Sequence, residues 1–199
     1  MRFLRDWILP IVIGLLVALL VKTFLFQFVK VDGSSMQPNL QDSERVLVWK
    51  PMEVKRMSVI VFDAHGEDPA ATEPVDYVKR VIGVPGDTIS YKDGKLYVND
   101  KLVPQKFIDE EQRTTGTGNW TLASIANKYG WAKSPKKVPK DSYFVLGDHR
   151  SVSNDSRYWG FVKKSKVMGV VKVPFWSKND QAKKNINKLA TDQAKKAVR

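Results

Sequence analysis

Two short segments hold side chains whose types could do chemistry together. Ser35 lies in Gly33-Ser34-Ser35-Met36-Gln37-Pro38, and Lys79 lies in Asp76-Tyr77-Val78-Lys79-Arg80. A serine hydroxyl is a poor nucleophile at neutral pH and needs a base. The chain has two histidines, His65 and His149, and neither sits in a convincing triad pattern. A lysine can serve instead if burial lowers its pKa to ~7–8, because desolvation disfavours the ammonium form. Strand alternation puts Tyr77, Lys79 and Val81 on one face and Val78, Arg80 and Ile82 on the other, so Lys79 shares its face with apolar neighbours. Each residue alone has a plainer reading. A serine in a Gly/Ser stretch is usually a turn residue, with Ser34 the obvious rival to Ser35. An isolated lysine in a strand is usually an edge lysine.

The surrounding elements set where these groups stand. Trp7 to Phe26 is an almost uninterrupted apolar stretch, with Lys22 and Thr23 near its far end. As a helix it spans about 30 Å, enough for a bilayer core. Pro10 falls in the first turn, where its missing N–H costs little. Arg2 and Arg5 precede the span, and the positive-inside rule puts the N-terminus in the cytoplasm. A cleavable signal peptide is the competing reading, but no Ala-x-Ala follows the apolar stretch. The expected organisation is a cytoplasmic stub (1–6), a transmembrane anchor (7–28), an extracytoplasmic domain (29–176) and a basic tail (177–199). Ser35 then emerges close to the membrane surface.

From Val29 to Trp176 the pattern is mostly β. Strands are expected at Arg45–Trp49, Val59–Phe62, Asp76–Val84, Thr88–Tyr91, Lys95–Val98, Tyr143–Leu146 and Val167–Val173. Lys92-Asp93-Gly94 is a hairpin signal. Helical periodicity is confined to about Leu122–Tyr129. The segment from His65 through Pro74 reads as an exposed loop. The tail, with six Lys and one Arg against two Asp, reads as solvated or surface-bound, with Ile186, Leu189 and Ala190 at helical spacing.

Composition excludes several classes. The 199 residues include no cysteine, so disulfides and thiolate metal sites are absent. With only His65 and His149, a multi-histidine zinc site is not expected. No phosphate-cradling glycine motif suggests a nucleotide cofactor. The net charge of +12 favours an anionic partner, and membrane lipid or a wall polymer fits better than nucleic acid, because the tail holds no nucleic-acid-binding motif.

A third segment, Gly147-Asp148-His149-Arg150-Ser151-Val152-Ser153-Asn154-Asp155-Ser156-Arg157-Tyr158-Trp159-Gly160, completes a pattern. With Ser35-Met36-x-Pro38 and the Lys79 string through Gly83, Pro85, Gly86 and Asp87, the chain resembles the type I signal peptidases. The short chain and single anchor resemble the Gram-positive enzymes. The resemblance implies a mostly β, coiled-sheet or partial-barrel domain behind one N-terminal transmembrane helix, single-pass in the bacterial cell membrane. It implies a Ser35/Lys79 dyad working through an acyl-enzyme, with no metal or cofactor. It also implies that Ser153 orients the Lys79 amine, that Asp155 and Arg157 form an ion pair shaping the site, and that Met36, Leu40, Tyr77 and Val78 line substrate pockets. Expected partners are secretory preproteins with small residues at −1 and −3, membrane lipid and the nearby secretion translocon. Four features depart from the family pattern: Gly33 where some members have Ser, Asn39 for Thr, Met57-Ser58 for Gly-Asp, and His149 for Asn. Two other readings of the pattern are a non-catalytic binding module on the same fold and a self-cleaving repressor. The repressor would need a DNA-binding domain where the apolar span lies.

Overall fold

The apolar start of the chain folds as one helix and hands over to a strand with almost no linker. The structure is a computed structural model that describes residues 4–189. Helix α1 (Leu9–Phe24) carries Pro10 in its first turn and buries no side chain against the protein. The 19 residues Asp6–Phe24 are long and apolar enough to cross a membrane. Helix ends at Phe24 and strand β1 (Phe26–Lys30) follows, so the last residues of the span expected to reach 28 are β instead. The reason is pairing. Phe26 to Lys30 align antiparallel with β2 (Arg45–Trp49), and the Phe26 and Trp49 rings sit 5.6 Å apart. Lys50 ties the helix end to this edge, donating from Nζ to the Thr23 carbonyl at 2.8 Å and from its backbone N–H to the Leu25 carbonyl at 3.1 Å.

Two antiparallel sheets form the rest. The elements that follow are β3 (Val59–Asp63), β4 (Asp76–Gly83), β5 (Ile89–Lys92), β6 (Lys95–Val98), β7 (Lys101–Val103), α2 (Glu110–Thr114), β8 (Trp120–Thr121), α3 (Leu122–Tyr129), β9 (Ser142–Leu146), α4 (Ser156–Trp159), β10 (Val162–Lys163) and β11 (Val167–Lys172). The larger, curled sheet has the order β1-β2-β11-β3-β4-β9-β10, and the smaller has β7-β6-β5-β8. This is the mostly β, partial-barrel class that the sequence implied. The β5–β6 hairpin turns on Asp93 and Gly94, both at positive φ, as the Asp-Gly signal required. Helix α3 coincides with the one helical stretch expected, closed by a capping box at Thr121 and a left-handed Gly130.

Three apolar clusters hold the sheets. One, around Tyr91, Leu96, Phe107 and Phe144, packs the small sheet onto the large one. Another joins the loop after β1 (Met36, Leu40) to β2, β3 and β11. The third surrounds Phe62, Val81, Val145 and Trp159.

The basic segment departs from its expected solvated state. Asp180–Ala182 forms α5, which continues helically over Lys183–Lys188, and Ala182, Asn185 and Ile186 are buried. Ala182 and Ile186 join the cluster of Met36 and Leu40 at the i,i+4 spacing that lines one helix face. The lysines occupy the other positions. Residues 190–199, including Ala190, lie outside the described residues.

The loop from His65 also differs from its exposed reading. His65 is at the surface, but Asp68 and Ala71 are buried. Asp68 supplies the reason: its carboxylate accepts hydrogen bonds from three groups, described below.

Candidate active site

Ser35 stands in the turn between β1 and β2. Gly33, at φ +81°, lets the chain reverse there, and its N–H donates to Asp42 Oδ1 at 2.8 Å. Immediately after Ser35, Met36 and Leu40 are fully buried, so the turn is pinned by two side chains that cannot leave the core cheaply. Ser35 itself remains partly exposed.

Lys79 lies inside β4, opposite Ile60 of β3. It is 5% exposed, and its Nζ is 2.8 Å from Ser35 Oγ. Burial pushes its pKa down from 10.5 to about 8, against the upward pull of Asp155, Asp148 and Asp68 and with a small further push from Arg157. No carboxylate among the described residues lies within ion-pair distance of the amine. A lysine left in this state is substantially neutral near pH 8 and can accept a hydroxyl proton.

Asp155 and Arg157 form an ion pair, and it is buried rather than superficial. Arg157 Nε donates to Asp155 Oδ1 at 2.8 Å and Nη2 to Oδ2 at 2.9 Å, with both side chains at most 5% exposed. Asp155 also caps α4 and accepts from Gly147 N–H at 3.0 Å. Arg157 binds the carbonyls of Gly116, Arg150 and Ser153. The pair therefore locks the β9–α4 loop beside Lys79.

Ser153 is buried within this loop, but its Oγ makes no hydrogen bond, to Lys79 or to any other described group. Gly147 presses on it: a Cβ at 147 would collide with the Ser153 side chain and the Ser35 carbonyl. Of the four residues expected to line substrate pockets, Met36, Leu40 and Val78 gather in one cluster and Tyr77 packs in another, on the opposite face of β4. Tyr77 lies on the Lys79 face, with Lys79 Nζ 5.3 Å from its ring centre.

Several site-shaping residues escaped the sequence reading. Asp68 accepts from Tyr77 Oη at 3.0 Å, from Asn154 Nδ2 at 2.6 Å and from Ala70 N–H at 2.9 Å. Arg80, fully buried, pairs in fork geometry with Asp148 at 2.8 and 2.7 Å. Asn39 joins this group, donating to Asp148 Oδ2 at 2.8 Å and accepting from Asn185 Nδ2 at 2.7 Å. The alternation of β4 could have flagged Arg80 as inward-facing. Nothing local announces its partners, which lie 23, 68 and 105 residues away. A cavity of about 730 Å³ between Lys50–Arg56 and Lys164–Gly169 holds neither Ser35 nor Lys79. Among the described residues no cluster of His, Asp and Glu suits a metal ion.

A curled antiparallel sheet that holds a serine hydroxyl against a buried lysine amine defines a candidate serine–lysine hydrolase. The family described as signal peptidase, peptidase S26, matches residues 4–176, and the chain belongs to that family. It is 36% identical over 182 residues to a signal peptidase I of Bacillus licheniformis, covering 89% of this chain and 91% of that protein. It is also 36% identical over 183 residues to the signal peptidase IB of Staphylococcus aureus, covering 87% and 90%. The crystal structure of a signal peptidase I from Enterococcus faecalis superposes with a TM-score of 0.50 at 34% identity, covering 60% of this chain and 97% of that one.

Proposed function

We propose that this chain is a membrane-anchored endopeptidase that removes N-terminal signal peptides from exported preproteins, with Ser35 as nucleophile and Lys79 as general base. The observation that carries the reading is the 2.8 Å approach of a buried, pKa-lowered amine to a partly exposed hydroxyl, in a chain of this family.

Neutral Lys79 takes the Ser35 proton as Oγ attacks the scissile carbonyl. The ammonium so formed gives its proton to the leaving amine of the mature protein, and an ester to Ser35 remains. Lys79, neutral again, activates water to hydrolyse the ester and free the signal peptide. Ser35 N–H has no acceptor among the described residues and is free to bind the carbonyl oxygen as it becomes an oxyanion. Gly33 offers no side-chain donor to assist it.

The preprotein enters as an extended strand and hydrogen-bonds through its backbone near Ser35 and Lys79. Small side chains at −1 and −3 face shallow surfaces walled by the partly exposed Tyr77, with Met36, Leu40 and Val78 as the buried layer beneath. The apolar helix holds the domain at the outer face of the cell membrane with the N-terminus in the cytoplasm, near the secretion translocon and in contact with lipid.

The test is cleavage of a secretory preprotein by the full-length chain in detergent, with N-terminal sequencing of the product. Cleavage after a small residue at −1, lost in Ser35→Ala and in Lys79→Ala, supports the reading. Undiminished cleavage by either variant overturns the dyad, and absence of cleavage by the wild-type chain favours a binding module.

A further inference from the structure

His149 touches the backbone of the nucleophile turn at two points. Its own backbone N–H donates to the Ser35 carbonyl at 3.0 Å. Its ring Nδ1 lies 3.2 Å from the Ser34 carbonyl oxygen. A carbonyl only accepts, so this contact requires the hydrogen on Nδ1. The same Ser34 carbonyl accepts the Gln37 N–H at 3.0 Å, and both of its lone pairs are then engaged.

The Ser34 carbonyl and the Ser35 N–H belong to one peptide unit. Among the described residues the cis peptide is Gln37–Pro38, so the Ser34–Ser35 unit is trans. Its carbonyl and N–H therefore point in opposite directions within one plane. Whatever holds the Ser34 oxygen also fixes where the Ser35 N–H aims. Hydrogen bonds to the oxygen further polarise the amide and strengthen the N–H as a donor.

We infer that His149 is a positioning residue for the reaction, its ring holding and polarising the Ser34–Ser35 peptide so that the Ser35 N–H meets the developing oxyanion. This rests on the Ser35/Lys79 reading above. The need for it follows from Gly33, which leaves the backbone N–H without a side-chain helper. Asparagine, the residue the family pattern favours at 149, suits the same task. Its Nδ2 is bonded to Cγ, as the His Nδ1 is, and presents an N–H from nearly the same point. Leucine fills that position with a methyl group and no donor.

The experiment compares wild-type, His149→Asn and His149→Leu chains, full length in detergent, with thermal melting to verify folding. Three quantities are read: kcat, KM, and affinity for a peptide aldehyde that forms a tetrahedral adduct on Ser35, set against the matching peptide alcohol. His149→Leu should lose about tenfold in kcat, the scale of one hydrogen bond and short of the ~10²–10³ for deleting a direct oxyanion donor. Its KM and alcohol affinity should stay within about twofold, while aldehyde affinity falls in step with kcat. His149→Asn should recover most of both. The backbone bond from residue 149 survives in every variant, so a tether role alone moves none of these quantities.

The inference fails if His149→Leu keeps wild-type kcat, if its aldehyde and alcohol affinities fall together, or if His149→Asn is no better than His149→Leu. Activity in Ser35→Ala or Lys79→Ala chains would overturn the dyad itself. An intact dyad with an indifferent His149→Leu variant sinks only the inference.

Discussion

Lys79 and Arg80 are consecutive on β4, both buried, and meet the cost of burying a charge in opposite ways. Arg80 points to the face that holds Asp148 and is neutralised by a two-pronged ion pair at 2.8 and 2.7 Å. Lys79 points to the face that holds Ser35 and has no carboxylate in contact, so burial is met by loss of its proton, with a pKa of about 8. One strand thus supplies a structural cation and a candidate base by the period-two alternation of its side chains.

Activity follows from that lowered pKa. The protonated amine cannot accept the Ser35 proton and the neutral amine can, so kcat should rise with pH and level off above about 8. Lys79→Arg keeps a cation that cannot act as a base and should be folded but inactive. A pH–rate profile on detergent-solubilised protein checks this, and an acid limb centred near 10 would contradict it.

The same burial weakens the fold. The unfolded chain binds a proton on Lys79 up to about pH 10.4, while the folded chain releases it at about 8. Between these values the unfolded state holds more protons, so stability should climb as pH rises through the window. Lys79→Met removes the penalty and should be roughly 2–3 kcal/mol more stable at pH 7, with no such climb. Urea melts at pH 7 and pH 10 measure both. A Lys79→Met chain less stable than wild type at pH 7 would show that the amine is not strained by burial.

Much of this arrangement is written locally. The strands at Arg45–Trp49 and Lys95–Val98, helix α3 and the Asp93-Gly94 turn follow from alternation, capping and turn chemistry acting within a few residues. That Lys79 and Arg80 face opposite sides of β4 follows from alternation too, while the burial of both faces comes from the sheets packed around the strand. What stays hidden is tertiary. Phe24 to Phe28 is apolar except for Gln27, and only pairing with β2 converts its end to strand. Asp68 sits among Gly, Pro and acidic residues that signal solvent, and its burial depends on donors from Tyr77 and from Asn154, 86 residues away. The Lys-rich composition of 178–188 masks two buried apolar positions, Ala182 and Ile186, and an asparagine whose side chain bonds Asn39.

That C-terminal segment gives a stability prediction. Ending the chain after Trp176 exposes Met36 and Leu40 on the loop that carries Ser35, and removes the Asn185 groups bonded to Asn39 and Arg80. The truncated chain should melt at lower temperature and lose activity in detergent. Ile186→Ala alone should cost about 2–4 kcal/mol, the usual range for deleting a buried isoleucine side chain. Truncation with unchanged melting and turnover would return the segment to the solvated state its composition suggests.

Gly147 offers a test of how tightly the site is packed. A methyl group there meets the Ser153 side chain and the Ser35 carbonyl, the oxygen that also accepts from His149 N–H. Gly147→Ala should displace the Ser35 turn and lower kcat by ~10²-fold, the order expected for a misplacement of about 1 Å. Gly130→Ala, at φ +75° with nothing within 4 Å of the added methyl, brings strain without collision and serves as a control for general loss of stability. Equal activity in the two variants would mean that contact at 147 does not set the position of Ser35.

Asp68 links the surface loop to the chemistry through charge and geometry at once. Its carboxylate is among the groups that pull the Lys79 pKa upward. It also holds the Tyr77 hydroxyl, whose own pKa is raised by burial and then by this bond. Asp68→Asn removes the charge and sets an amide N–H against the donors of Asn154 and Tyr77. Leaving a buried donor unpaired costs about 1–3 kcal/mol, so the variant should be less stable. With the negative charge gone, neutral Lys79 persists to lower pH, and the acid limb of the pH–rate profile should move downward. Tyr77→Phe loses the hydroxyl and keeps the charge, so its acid limb should stay where the wild-type limb lies, while KM for peptides rises through the loosened pocket wall. The two profiles separate the roles. A limb that moves upward in Asp68→Asn, or one that shifts equally in Tyr77→Phe, would show that Asp68 acts on Lys79 through packing and not through its charge.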